Sequence, residues 1–281
     1  MVASPSLRWE TKPEEQQLSN TFKWALVGDL QIPYEDQRAV ALWFKVMKWW
    51  KPDAIDYVGD IDDQLEYSRF SDGTTDEFYA QLKKEPDPNP LPFIQKNAQG
   101  AADFYAQVRK QHPNADIHLS MGNHDIRVFG YIDKKAPEYK EFVTPNLLWG
   151  VDDLGMSYKF YHEPPHERFN KIHVHHGTTL SSTTQTTIRS DIENYDISLV
   201  RGHSHRAAVV SVAYPLSGRN LMGMETGHMC DPGGYGLKYT INPDWQLGFG
   251  LATLFEGHTQ MQFIHISPDY TCIVDGRLFT G

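Results

Sequence analysis

The sequence predicts an α/β protein, because short apolar strands alternate with helical segments in its first half. Phe22–Leu30 has the apolar density of a central strand, and Ala54–Val58 forms a second one. Between them, Asp36–Trp50 carries apolar residues at helical spacing, with an aspartate placed to cap the helix. A strand-helix-strand unit of this kind builds parallel sheet. Short alternating segments between residues 207 and 274, separated by turns rich in Pro and Gly, predict antiparallel strands after it.

The middle of the chain continues the alternation. Helices are predicted over 93–111 and 187–194, and strands over 115–121, 171–176 and 197–200. Residues 131–170 give only weak signals for any element. We expect a flexible arm over residues 1–20 and one domain over 21–281. An acidic insertion around 62–92, which ends in a proline-rich spacer, interrupts that domain.

Composition limits the classes of protein that fit. The chain has 281 residues, 40% of them hydrophobic and 12% aromatic, which is typical of a globular protein. A formal net charge of -10 argues against a broad basic surface for nucleic acid. No apolar run approaches the roughly 20 residues of a membrane helix. Cys230 and Cys272 form neither a disulfide framework nor a zinc-type pair, so we expect a soluble protein of the cytoplasm, or of the host cytoplasm if the chain is viral.

Five predicted strand ends carry carboxylate, amide or imidazole groups, and they are the most informative part of the sequence. They are Asp29-Leu30-Gln31, Gly59-Asp60-Ile61-Asp62-Asp63, Gly122-Asn123-His124-Asp125, His175-His176-Gly177 and Gly202-His203-Ser204-His205. Ligands bind outside the carboxyl ends of strands in open α/β sheets. Extended chain sends residues i and i+2 to the same side, so Asp29 and Gln31 can aim at one point, as can His203 and His205.

The donor types and their number predict a pair of metal ions. Nitrogen and oxygen donors without thiolate suit Mn, Fe or Zn. A catalytic metal typically takes about three protein ligands, so seven or more converging donors are too many for one ion.

The order of these motifs resembles the calcineurin-like metallophosphoesterase superfamily, whose pattern is D-x-H, G-D-x-x-D, G-N-H-D/E, a lone H and G-H-x-H. The resemblance spans Asp29 to His205, and some phage-encoded members are similar to this chain. It implies a four-layer αββα sandwich in which two facing mixed β-sheets are flanked by helices. The chain departs from the pattern at Gln31, where the family usually has histidine. An amide oxygen is a weaker donor than imidazole, so the first metal should bind less tightly and the site should favour Mn²⁺.

The resemblance also implies roles for single residues. Asp60 would bridge two divalent ions. Mn²⁺ is the favoured metal, and Fe, Zn or Ni are the alternatives. The remaining ligands would be Asp29, Gln31 and His205 for the first ion, and Asn123, His176 and His203 for the second. His175 is the alternative to His176, although strand alternation places the two on opposite faces. Asp63 matches the family's second acidic position and would orient its neighbours by hydrogen bonds.

His124 resembles the family's catalytic histidine, which would protonate or hydrogen-bond the departing oxygen. We expect Asp125 to orient that imidazole. For Arg127 two interpretations stay open: it binds a phosphate oxygen of the substrate, or it forms a surface ion pair. His228, like the other histidines outside the motifs, is expected to be a solvated or hydrogen-bonded residue; a place at the border of the pocket is the alternative, because it lies in a glycine-containing loop after the last motif.

The function implied by the resemblance is hydrolysis of a phosphoester by a hydroxide held between two metal ions. A phosphodiester is favoured, with a cyclic nucleotide, a small nucleotide diester or a nucleic-acid end as candidate substrates. A nuclease or phosphomonoesterase of the same fold is the alternative. A non-catalytic metal-binding scaffold is a further one, because some members keep only the fold. No membrane or protein partner is expected.

Overall fold

The computed structural model describes residues 21–68, 91–181, 183–231, 233 and 244–281. The predicted arm over 1–20 lies outside these residues. So does most of the predicted insertion, including its proline-rich spacer up to residue 90. Within the described ranges, no helix combines the length and apolar character needed to cross a membrane.

Five α-helices and thirteen strands are present in the described residues. The helices are α1 (Gln37–Trp50), α2 (Leu91–Gln111), α3 (Arg127–Lys135), α4 (Pro145–Trp149) and α5 (Thr186–Tyr195). The strands are β1 (Phe22–Val27), β2 (Ala54–Tyr57), β3 (Asp116–Ser120), β4 (Ser157–Lys159), β5 (His166–Glu167), β6 (Ile172–Val174), β7 (Ser198–Arg201), β8 (Ala207–Tyr214), β9 (Arg219–Thr226), β10 (Gly248–Phe255), β11 (His258–His265), β12 (Thr271–Val274) and β13 (Arg277–Thr280). Short 3₁₀ turns cover Leu65–Tyr67, Pro137–Tyr139 and Phe169–Lys171.

Two mixed sheets organise these strands. The first has the order β11-β10-β1-β2-β3-β4, in which β1 to β4 are parallel and β10 and β11 are antiparallel. The second has the order β5-β6-β7-β9-β8, with β6, β7 and β9 parallel. The remaining strands, β12 and β13, pair with each other. The parallel strands at the centre of each sheet direct their carboxyl ends toward the predicted site.

Alternation along β1 explains why the two sheets stack. Trp24 and Leu26 point to one face, where they join Val174 and Met224 of the second sheet in a shared apolar cluster. Ala25 and Val27 point to the other face and belong to the core that α1 and α2 cover. A further cluster packs α5 against the outer face of the second sheet, through Ile188, Ile192 and Leu199. The predicted four-layer αββα sandwich is therefore confirmed.

Most predicted elements are confirmed, with bounds shifted by a few residues. Asp36 caps α1, since its side chain accepts hydrogen bonds from the backbone N–H groups of Arg38 and Ala39. The region 131–170, where the sequence predicted no element, contains most of α3 and all of α4, β4 and β5, which are short. Short elements take their stability from packing against the rest of the protein and leave little periodic signal in sequence.

Candidate metal centre

Asp60, His176 and His203 come from three separate loops and meet at one point. Their potential ligand atoms all lie within 4.8 Å of one another. His176 Nε2 lies 3.1 Å from Asp60 Oδ2, although the two are not aligned as a hydrogen bond. Two of these loops follow strands of the second sheet and one follows β2, so the facing of the two sheets creates the cluster.

A second group of donors surrounds His205. Asp29 Oδ1 lies 3.2 Å and Gln31 Nε2 lies 3.1 Å from His205 Nε2. The oxygen and nitrogen of an amide are interchangeable in shape, so a half-turn of the Gln31 side chain places its oxygen at the same position. The other oxygen of Asp29 accepts a hydrogen bond of 3.1 Å from the backbone N–H of His203 and ties the two groups together.

Asn123 and the two candidate histidines of the fourth motif have different surroundings. Asn123 Oδ1 is buried next to the loop that carries Asp60. His176 is fully buried among the donors. His175 Nδ1 instead accepts a hydrogen bond of 3.0 Å from the backbone of Gly177, and its Nε2 lies 3.4 Å from the carbonyl of Tyr161. This placement favours His176 as the ligand.

Left-handed backbone occurs in most of the predicted ligands, as well as at several positions outside the site. Five of the predicted ligands adopt it, with φ values between 52° and 70°: Asp29, Gln31, Asp60, His203 and His205. Non-glycine residues in this region cost of order 1 kcal/mol or more each, and they cluster at functional sites. The fold therefore holds these side chains at the cost of local stability.

Two glycines of the motifs lie directly against side chains of the site and leave no room for a Cβ. A Cβ on Gly122 would lie 2.1 Å from Asp60 Oδ1. A Cβ on Gly59, whose φ is +88°, would lie 2.5 Å from His176 Nδ1. Only glycine leaves room for the ligands to pass over these positions.

Several buried donor atoms of the site lack hydrogen-bond partners among the described residues, which bears on whether the site suits a cation. Four buried donor atoms have no hydrogen-bond partner in the described part of the chain: Asp29 Oδ1, Gln31 Oε1, Asn123 Oδ1 and His176 Nε2. His176 Nδ1 donates to the carbonyl of Val58 at 2.7 Å, which leaves the lone pair of Nε2 directed at Asp60. Buried polar atoms are rarely left unpaired, and each one costs free energy. The donor set therefore fits divalent cations that prefer oxygen and nitrogen ligands.

The electrostatics of the site show that the buried carboxylate of Asp60 attracts positive charge. Burial alone would raise the pKa of Asp60, but the charges of His124 and His176 hold it well below the usual value. Burial likewise lowers the pKa of His176, and the carboxylate of Asp60 offsets this effect and raises the pKa to about 9. The pKa of His203 falls to about 4 because of burial and the neighbouring His176. A carboxylate that stays charged this deeply needs a positive partner.

His124 is held by groups on three sides. Its backbone N–H donates to Asp60 Oδ1 at 2.7 Å, and its Nδ1 contacts Asp63 Oδ1 in a close hydrogen bond. Its Nε2 lies 3.7 Å from Asp60 Oδ2. Arg127 Nη2 lies 3.0 Å from the same Nε2, and Arg127 Nη1 donates to the backbone carbonyl of Asp63 at 2.7 Å. The imidazole therefore has a defined orientation next to the donors.

The expectation that Asp125 orients His124 is wrong, because Asp63 makes that contact. The carboxylate of Asp125 is fully buried and accepts four backbone N–H groups: those of Asp60 (2.7 Å), Ile61 (3.1 Å), Asp62 (2.9 Å) and Gly122 (2.7 Å). Burial and the nearby charge of Asp60 raise the pKa of Asp125 to about 6. Asp125 thus supports the loop that carries Asp60 and does not contact the imidazole.

Neither interpretation of Arg127 fully describes its position. Its guanidinium pairs with Asp63 at 3.3 Å, but the side chain is only 18% exposed and does not lie on the open surface. It also contacts His124, so it lies at the edge of the donor cluster. A contact between Arg127 and a substrate remains a prediction.

Arg201, which is fully buried at the end of β7, was not among the predicted site residues. Its guanidinium pairs with Asp191, donates to the carbonyl of Thr179 at 2.7 Å and lies 3.3 Å from the carbonyl of Gly202. These contacts join the loop after His176 to the loop before His203. A single arginine at a strand end has no local pattern that predicts such long-range partners.

His228 lies beside the site, in agreement with the alternative interpretation of this residue. Its ring stacks on His205 with centroids 5.6 Å apart, and its Nδ1 lies 3.2 Å from Cys230 Sγ. Burial and the charge of His205 lower the pKa of His228 to about 3, so the ring is neutral. The segment that contains it also donates from Met229 N–H to the carbonyl of Asp29 at 3.1 Å.

Comparison with known proteins places this chain beside two bacteriophage proteins. No family model matches the sequence. The Gene 54 protein of Mycobacterium phage D29 is 26% identical over 261 residues, which cover 90% of this chain and 94% of the relative. The Gene 54 protein of Mycobacterium phage L5 is 26% identical over 263 residues, with the same coverage of 90% and 94%. The names of these relatives state no activity.

Solved structures with a similar arrangement include Vps29 proteins and a bacterial phosphoesterase. Vps29 from Cryptosporidium parvum is 14% identical, with a TM-score of 0.45, over 92% of this chain and 94% of that chain. Vps29 from Chaetomium thermophilum is 13% identical, with a TM-score of 0.46, over 92% and 98%. YfcE, a phosphoesterase from E. coli, is 10% identical, with a TM-score of 0.39, over 90% and 97%.

Proposed function

We propose that this chain is a metal-dependent phosphoesterase that hydrolyses a phosphodiester. The observation that carries the proposal is the convergence of buried oxygen and nitrogen donors with unpaired lone pairs, next to an oriented histidine. In the proposal, Asp29, Gln31 and His205 hold one divalent cation, and Asn123, His176 and His203 hold a second. Asp60 contributes to both.

Divalent cations bound there would neutralise the charge of the phosphoester and lower the pKa of a water molecule toward neutrality. The donor set contains no thiolate and includes the amide of Gln31, which favours Mn²⁺ over softer ions; Fe, Zn and Ni are the other candidates. The proposed substrate is a nucleotide diester or a nucleic-acid end in the cytoplasm.

The chain's own residues supply the remaining chemistry. Asp63 Oδ1 accepts a hydrogen bond from His124 Nδ1–H, which keeps that proton on Nδ1 and aims Nε2 toward Asp60 and the donors. In its imidazolium form, with a second proton on Nε2, His124 hydrogen-bonds or protonates the departing oxygen of the substrate. Arg127, which touches His124 Nε2 at 3.0 Å, is placed to bind an oxygen of the phosphate.

The test is turnover of bis(p-nitrophenyl) phosphate by the purified chain, after dialysis against a chelator and then with Mn²⁺ restored. We expect activity to be lost on dialysis and recovered with Mn²⁺, and to be low in the variant His124→Ala. A parent protein that binds Mn²⁺ but turns over neither this diester nor p-nitrophenyl phosphate would contradict the enzyme assignment and favour a scaffold.

A further inference from the structure

A cavity of about 510 Å³ lies beside α3, outside the donor cluster. Its walls are mainly apolar and aromatic, and they include Ile126, Phe129, Ile132, Val143, Tyr158 and Phe160. Small-molecule sites are commonly concave, of roughly 300–1,000 Å³, and lined by such side chains. The size and lining of this cavity therefore match a binding site.

Two wall segments of the cavity continue along the chain into residues that contact the candidate metal centre. Ile126 directly follows Asp125, the residue that supports the Asp60 loop. In the other segment, the ring of Tyr161 lies 6.0 Å from that of His176, and the next residue, His162, lines the cavity. The parallel pairing of β3 and β4 brings both wall segments to the same edge of the sheet.

The walls suit an uncharged planar ring. Phe160 meets Phe129 edge-to-face with centroids 5.4 Å apart, and it meets Tyr158 in the same way at 5.8 Å. Aromatic side chains in this geometry favour an aromatic guest, which can stack or pack edge-on. The charged residues of the lining, Lys140 and Asp133, are exposed and pair with each other at 2.8 Å, so they stay at the rim.

We propose that this cavity receives the aromatic group esterified to the phosphate, a nucleobase or another aryl ring. The inference rests on the proposed function, because it takes the phosphate to bind at the donor cluster. It adds a preference: phosphoesters that carry an aromatic group should bind more tightly than those with a small alkyl group.

Substitutions at Gly130 can test whether the cavity binds the aromatic group. It lies in α3 and lines the cavity, and a Cβ built on it would meet no atom within 4 Å. The variant Gly130→Leu therefore adds an isobutyl group to the cavity wall from a helical position without a clash at Cβ. Gly130→Ala is the matched control, since it makes the same change of backbone freedom but leaves most of the cavity open.

The experiment measures the affinities of phenylphosphonate and methylphosphonate by calorimetry in the presence of Mn²⁺. These compounds do not turn over, so the result does not depend on catalysis. The parent protein and Gly130→Ala should bind phenylphosphonate roughly 10- to 100-fold more tightly than methylphosphonate, as burial of a ring predicts. In Gly130→Leu the ratio should fall to about one.

Three outcomes decide the matter. Equal affinities in the parent protein, or a phenyl preference that persists in Gly130→Leu, would overturn the cavity assignment while the phosphate site stands. Failure of the parent to bind either phosphonate would overturn the phosphate site, and the cavity assignment with it. If Gly130→Leu does not fold, Phe160→Ala, which removes one aromatic wall, should lower the phenyl preference, and an unchanged preference there would overturn the assignment.

Discussion

The carboxylate of Asp125 lies beneath the backbone of Asp60 and accepts its N–H at 2.7 Å. The same oxygen accepts the N–H of Gly122 at 2.7 Å, so it links the loops that follow β2 and β3. The position of Asp60 thus depends on a residue 65 positions further along the chain. Proteins commonly hold metal-binding loops through such outer contacts.

We predict that Asp125→Ala destabilises the protein and weakens its metal binding. The substitution leaves four buried backbone N–H groups without an acceptor, and each unpaired group costs about 1–3 kcal/mol before the loop relaxes. Urea unfolding should show a loss of about 3 kcal/mol or more in the free energy of unfolding. The exposed Asp152→Ala is the control and should change stability little. Equal unfolding midpoints for the two variants would contradict the supporting role.

We predict that Gln31→His tightens the binding of Mn²⁺. The Gln31 side chain already ends 3.1 Å from His205 Nε2, and an imidazole is a stronger donor than a neutral amide. Calorimetric titration should show a gain of roughly tenfold, about 1.4 kcal/mol. Gln31→Ala should move the affinity in the opposite direction. Identical Mn²⁺ affinity in the parent and Gln31→His would show that this position holds no metal.

We predict that His124→Ala lowers kcat on an aryl phosphodiester about 10²- to 10⁴-fold, as expected for loss of a general acid. Mn²⁺ affinity should change little, because the imidazole is not among the proposed ligands. Asp63→Asn should lower kcat by a smaller factor, since it alters the hydrogen bond that orients the ring and leaves the ring in place. A loss of Mn²⁺ binding in His124→Ala that parallels its loss of activity would instead identify His124 as a ligand.

We predict that His118 makes the protein less stable in mild acid. The ring is 1% exposed, and its Nδ1 lies 2.8 Å from Ser157 Oγ. Burial and the neighbouring charges of His166 and Arg168 lower its pKa from 6.5 to about 2. The unfolded chain therefore binds a proton below pH 6.5 that the folded protein refuses, and stability falls as the pH drops through this window. The loss from this residue approaches about 1.4 kcal/mol per pH unit.

The measurement is the free energy of unfolding between pH 6.5 and pH 4.5 for the parent and for His118→Asn. Asparagine keeps a polar group near Ser157 but does not titrate, so the pH dependence should become shallower. The exposed His258→Asn serves as the control. A slope for His118→Asn that matches the parent would contradict the assignment to this histidine.

Local patterns were sufficient to predict most strands and helices outside residues 131–170, and the donors at the strand ends. Strand alternation and helical spacing are properties of neighbouring residues, so Trp24, Leu26 and the Asp36 cap could be interpreted without the structure. The distance between His175 and His176 is one residue, yet alternation separates their faces. The structure places only His176 against Asp60.

Contacts between distant segments could not be predicted in this way. Asp63 and Asp125 are both acidic residues near a motif, and nothing local shows that Asp63 contacts His124 while Asp125 binds four backbone N–H groups. Arg201 and the cavity beside α3 have no sequence signature, because their partners come from loops and strands far apart in the chain.

The sequence by itself determined which side chains end the strands and that they carry oxygen and nitrogen donors without thiolates. Only the tertiary structure decided which of these side chains lie in contact with one another. It also decided that Asp125 binds backbone N–H groups and that the donors pack against Gly59 and Gly122. The physical reason is that periodicity sets the face of each residue within its own element. The stacking of two sheets, in contrast, sets the distances between loops that lie more than a hundred residues apart, such as those of Asp60 and His176.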